Sequence, residues 1–162
     1  MKKKLYLETT IPSFYFNDRT EPEMIARCNW TRDWWDNQRC DYDLYTGAAV
    51  LDELQRAEYS RKSEKLALLK QAFVLPISAE VIQIAEIYID RLVMPRDPAG
   101  DALHLALASY HQMDIIILTW NCQHLANFRK FEHIEKVNRE LNLESPRLLT
   151  PLELLGDNPH EA

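Results

Sequence analysis

The sequence predicts an α/β protein with a central parallel sheet flanked by helices. Three observations carry that expectation. Short apolar runs recur between longer stretches whose apolar residues keep helical spacing, the pattern of strands joined by helical crossovers. The strongest run, Ile115 to Thr119, opens Ile-Ile-Ile-Leu without alternation, as a strand covered on both faces does. Finally, the polar residues Glu8 and Asn121 fall just past the first and the strongest run, where open parallel sheets gather their chemistry.

Leu5-Tyr6-Leu7 reads as a short buried strand running into Glu8-Thr9-Thr10. Pro12 then ends the ladder, having no N–H to donate. From Pro22 to about Arg39, Met24, Ile25, Cys28, Trp34 and Trp35 recur at three- and four-residue spacings, predicting a helix with a broad aromatic face. Its tryptophans are expected in the core or an interface rather than stacked on bases. Tyr42 to Thr46 is the second strand. Ala48 to Glu58 is a helix with Val50, Leu51, Leu54 and Ala57 on one face, and Ser63 to Phe73 continues helical. Val74 to Ile77 is a third strand. Ser78 caps a long helix that carries Val81, Ile84, Ala85, Tyr88, Leu92 and Val93 to the core and stops before Pro95. Asp97 as N-cap and Pro98 as first helical residue open the next helix, running to about Gln112. After the strand at Ile115 to Thr119, Phe128 to Leu141 is helical and Arg147-Leu148-Leu149 a strand. Thr150-Pro151-Leu152-Glu153 is a capping box opening a last short helix, which Gly156 ends. Residues 1–156 are expected to form one domain, with 157–162 a loose tail.

Composition narrows the function. The net charge of −6 argues against holding nucleic acid by general electrostatic attraction, so any such role is local. Candidate patches are Arg56, Arg61, Lys62 and Lys65, and Arg129, Lys130, Lys136 and Arg139, all of which also suit solvated helix faces. Three glycines, Gly47, Gly100 and Gly156, cannot build a GxGxxG or GxxxxGK phosphate loop. Cys28, Cys40 and Cys122 are odd in number and form no CxxC pair, which argues against a disulfide framework or a thiolate zinc site and leaves them as free packing thiols. No apolar run approaches the roughly 18 residues of a membrane span, and the start has no signal-peptide core. The expected location is the cytoplasm, with no membrane partner.

The acids are the remaining chemistry. Asp101 begins Asp101-Ala102-Leu103-His104-Leu105-Ala106-Leu107-Ala108, apolar nearly all round and therefore buried, where a carboxylate needs compensation; complementing the helix dipole is the plainer alternative. Glu53 flanks the apolar stripe of its helix, whereas Asp52 falls on the polar side, so Glu53 is the candidate. Asp114 begins the strand that Asn121 follows, about 20 Å away, and is excluded. Carboxylates suit hard cations such as Mg²⁺ or Mn²⁺.

Leu5-Tyr6-Leu7-Glu8-Thr9-Thr10, Val50-Leu51-Asp52-Glu53-Leu54, Gly100-Asp101-Ala102-Leu103-His104-Leu105-Ala106 and Leu118-Thr119-Trp120-Asn121 resemble, in order, the motifs of the PIN domain, whose best-known small members are the VapC-like toxins. The Thr150-Pro151-x-Glu153-Leu154-Leu155 ending looks like that of many PIN chains. The resemblance covers residues 4 to 155. It implies a three-layer Rossmann-like fold and a Mg²⁺- or Mn²⁺-dependent endoribonuclease acting on RNA, often a homodimer and often neutralised by a small antitoxin. By the same resemblance Glu8, Glu53 and Asp101 match the first three acids, which hold the metal. Thr9 or Thr10 matches the hydroxyl residue that orders the site, and Asn121 the position of a fourth acid. Glu8 adds a methylene to the usual Asp, and the neutral Asn121 favours one ion over two; its amide oxygen remains able to orient water. His104 and His124 are placed to assist proton transfer. Cys122, beside the site, is a candidate for oxidation. The alternative is a PIN-like RNA- or protein-binding regulatory module that no longer cuts.

Overall fold

The computed structural model describes residues 1–56, 58, 60–96, 100–111 and 114–156. Five strands, β1 (Lys3–Leu7), β2 (Tyr42–Gly47), β3 (Phe73–Leu75), β4 (Ile115–Leu118) and β5 (Arg147–Leu149), form one sheet in the order β3-β2-β1-β4-β5. Every pairing is parallel, with Leu5 opposite Leu44 on one side and Ile116 on the other. Eight helices flank it among the described residues: α1 (Thr10–Tyr15), α2 (Pro22–Gln38), α3 (Ala48–Arg56), α4 (Lys62–Leu69), α5 (Ala79–Asp90), α6 (Gly100–His111), α7 (Phe128–Glu140) and α8 (Pro151–Leu155).

Burial follows the sheet. Leu5, Tyr6 and Leu7 of β1 and all four residues of β4 are buried, so the two central strands are covered on both faces. The chain builds β1, β2 and β3 outward, then returns to lay β4 on the free edge of β1. Strand order therefore reverses between β1 and β4, the point outside whose carboxyl ends open α/β sheets place their sites. Glu8 leaves β1 there with its N–H donated to Leu118 O at 3.2 Å, and Thr119 leaves β4 donating to Leu149 O at 3.0 Å.

Several elements lie where the sequence places them. Ser78 Oγ accepts from Val81 N, the Thr150–Glu153 capping box is formed on both sides, and Trp34 and Trp35 are buried. Val50 and Leu54 turn inward from α3. Asp97 and Pro98, Ala57, Gln112 and the expected tail lie outside the described residues.

Other expectations are corrected. Helix α1 is not anticipated, because Pro12 reads as a breaker. It sits in the first turn, where backbone N–H groups have no intrahelical partner to lose. Phe73 is a strand residue, not the end of a helix. Lys70 N and Ala72 N turn back on Ala67 O and Leu69 O, and Phe73 pairs with Tyr45, ring centroids 5.8 Å apart. Leu92 is 83% exposed rather than in the core. The helix ends in a Schellman motif: Leu92 has φ 60°, Leu92 N bonds Ile89 O and Val93 N bonds Tyr88 O at 2.8 Å. Val93 is thereby returned to the core and Leu92 turned out. Lys65, read as part of a solvated face, is only 5% exposed; α4 packs on α1 and takes its stem inside. Cys40 and Cys122 are exposed rather than packed; Cys28 is buried.

Left-handed backbone costs an L-residue about 1 kcal/mol, and Leu92 gains little from packing. Leu92→Gly is expected to stabilise the protein by roughly 0.5–1 kcal/mol, read as a higher urea midpoint at unchanged slope.

Candidate functional site

The site begins with one buried acid. Glu8, 4% exposed, gathers three donors on Oε2: Thr10 N at 3.0 Å, Thr10 Oγ1 at 2.5 Å and Thr119 Oγ1 at 2.8 Å. Each hydroxyl is itself oriented by a backbone N–H, Thr10 Oγ1 accepting from Trp120 N at 2.8 Å and Thr119 Oγ1 from Asn121 N at 2.9 Å. The exits of β1 and β4 are thus tied to each other through one carboxylate oxygen. Trp120 is fixed in turn by its ring N–H on Thr31 Oγ1 at 2.7 Å and by the Arg27 guanidinium 5.2 Å from its ring centroid.

Glu53 reaches the same place from α3. Its Oε2 accepts from Thr9 Oγ1 at 2.6 Å, and its Oε1 lies 2.9 Å from His104 Nε2. Both threonines therefore order a carboxylate, Thr10 on Glu8 and Thr9 on Glu53. Gly100 makes the approach possible, since a Cβ there would overlap Glu53 Oε1. Asp52 is exposed.

His104, 1% exposed on α6, sits between the acids. Its Nε2 is 3.9 Å from Glu8 Oε1, and its Nδ1 is 2.8 Å from the hydroxyl of Tyr6. Burial and the two glutamates raise Tyr6 well above its ordinary value, so it stays a neutral phenol. Gly47 leaves room for that hydroxyl, which a Cβ would strike. Burial disfavours a charged His104, but the bond to Glu53 and the fields of Glu8, Glu53 and Asp101 outweigh it, and its pKa is raised. Burial raises Glu53 in the same way, and His104 and Thr9 reverse it, leaving the carboxyl below its ordinary value.

Asp101 occupies the first turn of α6, one turn before His104. Its Oδ1 accepts from Asn121 Nδ2 at 3.0 Å, whereas its buried Oδ2 has no hydrogen-bond partner among the described residues. Burial pushes its carboxyl up, against the fields of His104 and His124. The amide oxygen of Asn121 accepts from His124 N at 3.0 Å. A backbone N–H can only donate, so this bond fixes the amide with its NH₂ toward Asp101. Asp114 lies at the other end of β4, paired with Arg147 at 3.2 Å. Desolvation raises the Cys122 thiol, the reverse of what a reactive cysteine needs.

Glu8, Glu53 and His104 each offer a ligand atom, all within 4.8 Å of one another, a grouping able to hold a metal ion. The sequence points to His104 only as a proton carrier and misses Tyr6 and Thr119. Strand phase holds a signal for Tyr6 and, in the extended exit of β4, for Thr119: each lies two residues before a site residue and so faces the same way.

No family model matches the sequence, and no curated protein does. Solved structures match the fold. FitAcB from Neisseria gonorrhoeae aligns over 91% of this chain and 98% of its own at 16% identity and TM-score 0.54. VapBC2 from Rickettsia felis, bound to a DNA fragment from its promoter, aligns over 90% and 97% at 14% identity and TM-score 0.50. This chain shares their fold.

Two outcomes are expected. Gly100→Ala displaces the Glu53 carboxylate while the sheet is kept, visible as altered His104 ring resonances with unchanged far-UV circular dichroism. In chelator-treated protein, a raised His104 contributes stability fully present below its ordinary 6.5 and lost as pH rises through its folded value. The urea midpoint therefore falls as pH is raised from below 6.5 through the higher folded value, and His104→Gln flattens that fall.

Proposed function

We propose that this chain is a PIN-domain endoribonuclease that hydrolyses RNA phosphodiester bonds at a Mg²⁺ or Mn²⁺ centre held by Glu8, Glu53 and Asp101, and that it is the toxin of a toxin–antitoxin pair. The observation that carries the reading is the buried Oδ2 of Asp101, which meets no donor among the described residues although a buried carboxylate oxygen normally has one. The donor set suits a hard cation, which takes carboxylate oxygens and completes its shell with water and phosphate oxygens. A bound ion would supply a water of lowered pKa and Lewis-acid polarisation of the phosphoryl group.

The residues supply position. Glu8 is held by Thr10 and Thr119, and Glu53 by Thr9 and His104, so neither has rotamer freedom left to lose when substrate arrives. Glu53 is the acid that solvent reaches, its side chain 36% exposed, which makes it the group able to exchange a proton at the mouth of the site. Asn121 holds Asp101. RNA contact in a chain of net charge −6 falls to local groups. A cavity of about 430 Å³ beside Thr10, lined by Phe14, Phe16, Asp18 and Arg19 among others, offers a cation and ring faces for a backbone and a base.

The toxin reading draws on the sequence resemblance to VapC-like toxins and on the fold shared with a VapBC2 assembly. It brings a small antitoxin as partner, a homodimer as assembly and the cytoplasm as location. No helix among the described residues is long and apolar enough to cross a membrane. The second reading, a binding module that no longer cuts, rests on the neutral Asn121.

Cleavage of end-labelled RNA with Mn²⁺ or Mg²⁺ decides between them. Chelator is expected to abolish it, and Asp101→Asn to lower the rate by a factor on the order of 10² or more, because it weakens the hold on the cation that stabilises the developing charge. RNA bound but uncut under either metal would establish the binding module instead.

A further inference from the structure

Resting on the metal-centre reading above, we infer that His104 Nε2 is itself a ligand of the divalent ion. It takes the place of the acid missing at Asn121 and tilts the centre from Mg²⁺ toward Mn²⁺.

Bonds of about 2.1 Å in an octahedron put neighbouring donors roughly 3 Å apart. Nε2 and Glu53 Oε1 are 2.9 Å apart, already at that spacing. Glu8 Oε1, at 3.9 Å, closes to it by a side-chain shift of about 1 Å. That oxygen is the one Thr10 and Thr119 leave alone, since all their bonds fall on Oε2. Asp101 lies one turn earlier on α6, so it and His104 share a helix face, and among the described residues its buried Oδ2 has no hydrogen-bond partner.

The imidazole is supported as metal-bound histidines are. A ligating histidine uses its second nitrogen on a fixed partner, which sets the tautomer and aims the ring. Tyr6, fully buried in β1, holds His104 Nδ1 at 2.8 Å. When an ion replaces the proton that Nε2 shares with Glu53, Nδ1–H donates to the Tyr6 oxygen and the Nε2 lone pair is left for the ion. Nitrogen donors favour transition ions, whereas Mg²⁺ keeps to oxygen.

The test uses full-length protein stripped with chelator and reloaded with Mn²⁺ alone. Pulsed EPR of bound Mn²⁺ is expected to show a coupled nitrogen whose modulation changes when the protein is grown with ¹⁵N-histidine. His104→Gln removes that signal, and His124→Gln, on the other histidine beside Asp101, keeps it. Mn²⁺ and Mg²⁺ titrations are expected to show the Mn²⁺ preference fall about tenfold in His104→Gln, in the range of changes around a metal's ligands. Bound Mn²⁺ without a histidine signal overturns the inference and leaves the metal centre standing, with His104 a clamp on Glu53. A signal lost only in His124→Gln also overturns it. Wild-type protein that binds no Mn²⁺ overturns both. The labelling arm needs no variant and stands even if His104→Gln misfolds.

Discussion

The constraint on which this molecule turns is a charged carboxylate buried at the seam between β1 and β4. An ionised acid taken out of water is tolerated only when it is paired or well hydrogen-bonded. Glu8 meets that demand with three donors on a single oxygen, drawn from the residues that follow two neighbouring strands. Hydrogen bonds to charged groups contribute roughly 1.5–3 kcal/mol each, so a shift of one exit relative to the other loses the Thr119 bond that joins them. The sheet places the acid, and the acid then fixes the loops.

Crowding of like charge is the second constraint. Glu53 and Asp101 enter the same space as Glu8, and His104 answers all three fields. That arrangement needs room where side chains ordinarily stand. Of the chain's three glycines, two serve this constellation: Gly100 yields to the Glu53 carboxylate and Gly47 to the Tyr6 hydroxyl. A sequence so sparing of glycine keeps it where two groups must approach a backbone closely.

Much of this is legible in the sequence because periodicity is local. The unbroken Ile115–Leu118 run gives a strand buried on both faces, and Glu8 and Asn121 are found from where strands end. Helical phase separates Glu53 from Asp52, since Val50 and Leu54 fix which side of α3 faces inward. What escapes is of two kinds. Local rules conflict at Pro12, where a residue that ends a strand also suits a first helical turn, and at Leu92, where an apolar side chain sits on a left-handed cap. The other kind is long-range: His104 meets Glu53 from 51 residues away and Tyr6 from 98. Those meetings come from strand order, which no window of sequence contains.

Asn121 shows how the two constraints combine. Its amide nitrogen donates to Asp101 and its oxygen accepts from His124 N, and a carboxylate at the same position could not do the first. An acid there would face Asp101 as a second like charge, and one of the two would need a proton or a cation to be tolerated. The neutral amide instead orders Asp101 through the protein's own hydrogen bonding. The carboxylates are thus held in place by Thr9 and Thr10 after β1, Thr119 and Asn121 after β4, and His104 on α6. A constellation already shaped in this way has little ordering left to lose when it takes a ligand, and preorganisation of that kind is where tight and selective binding comes from.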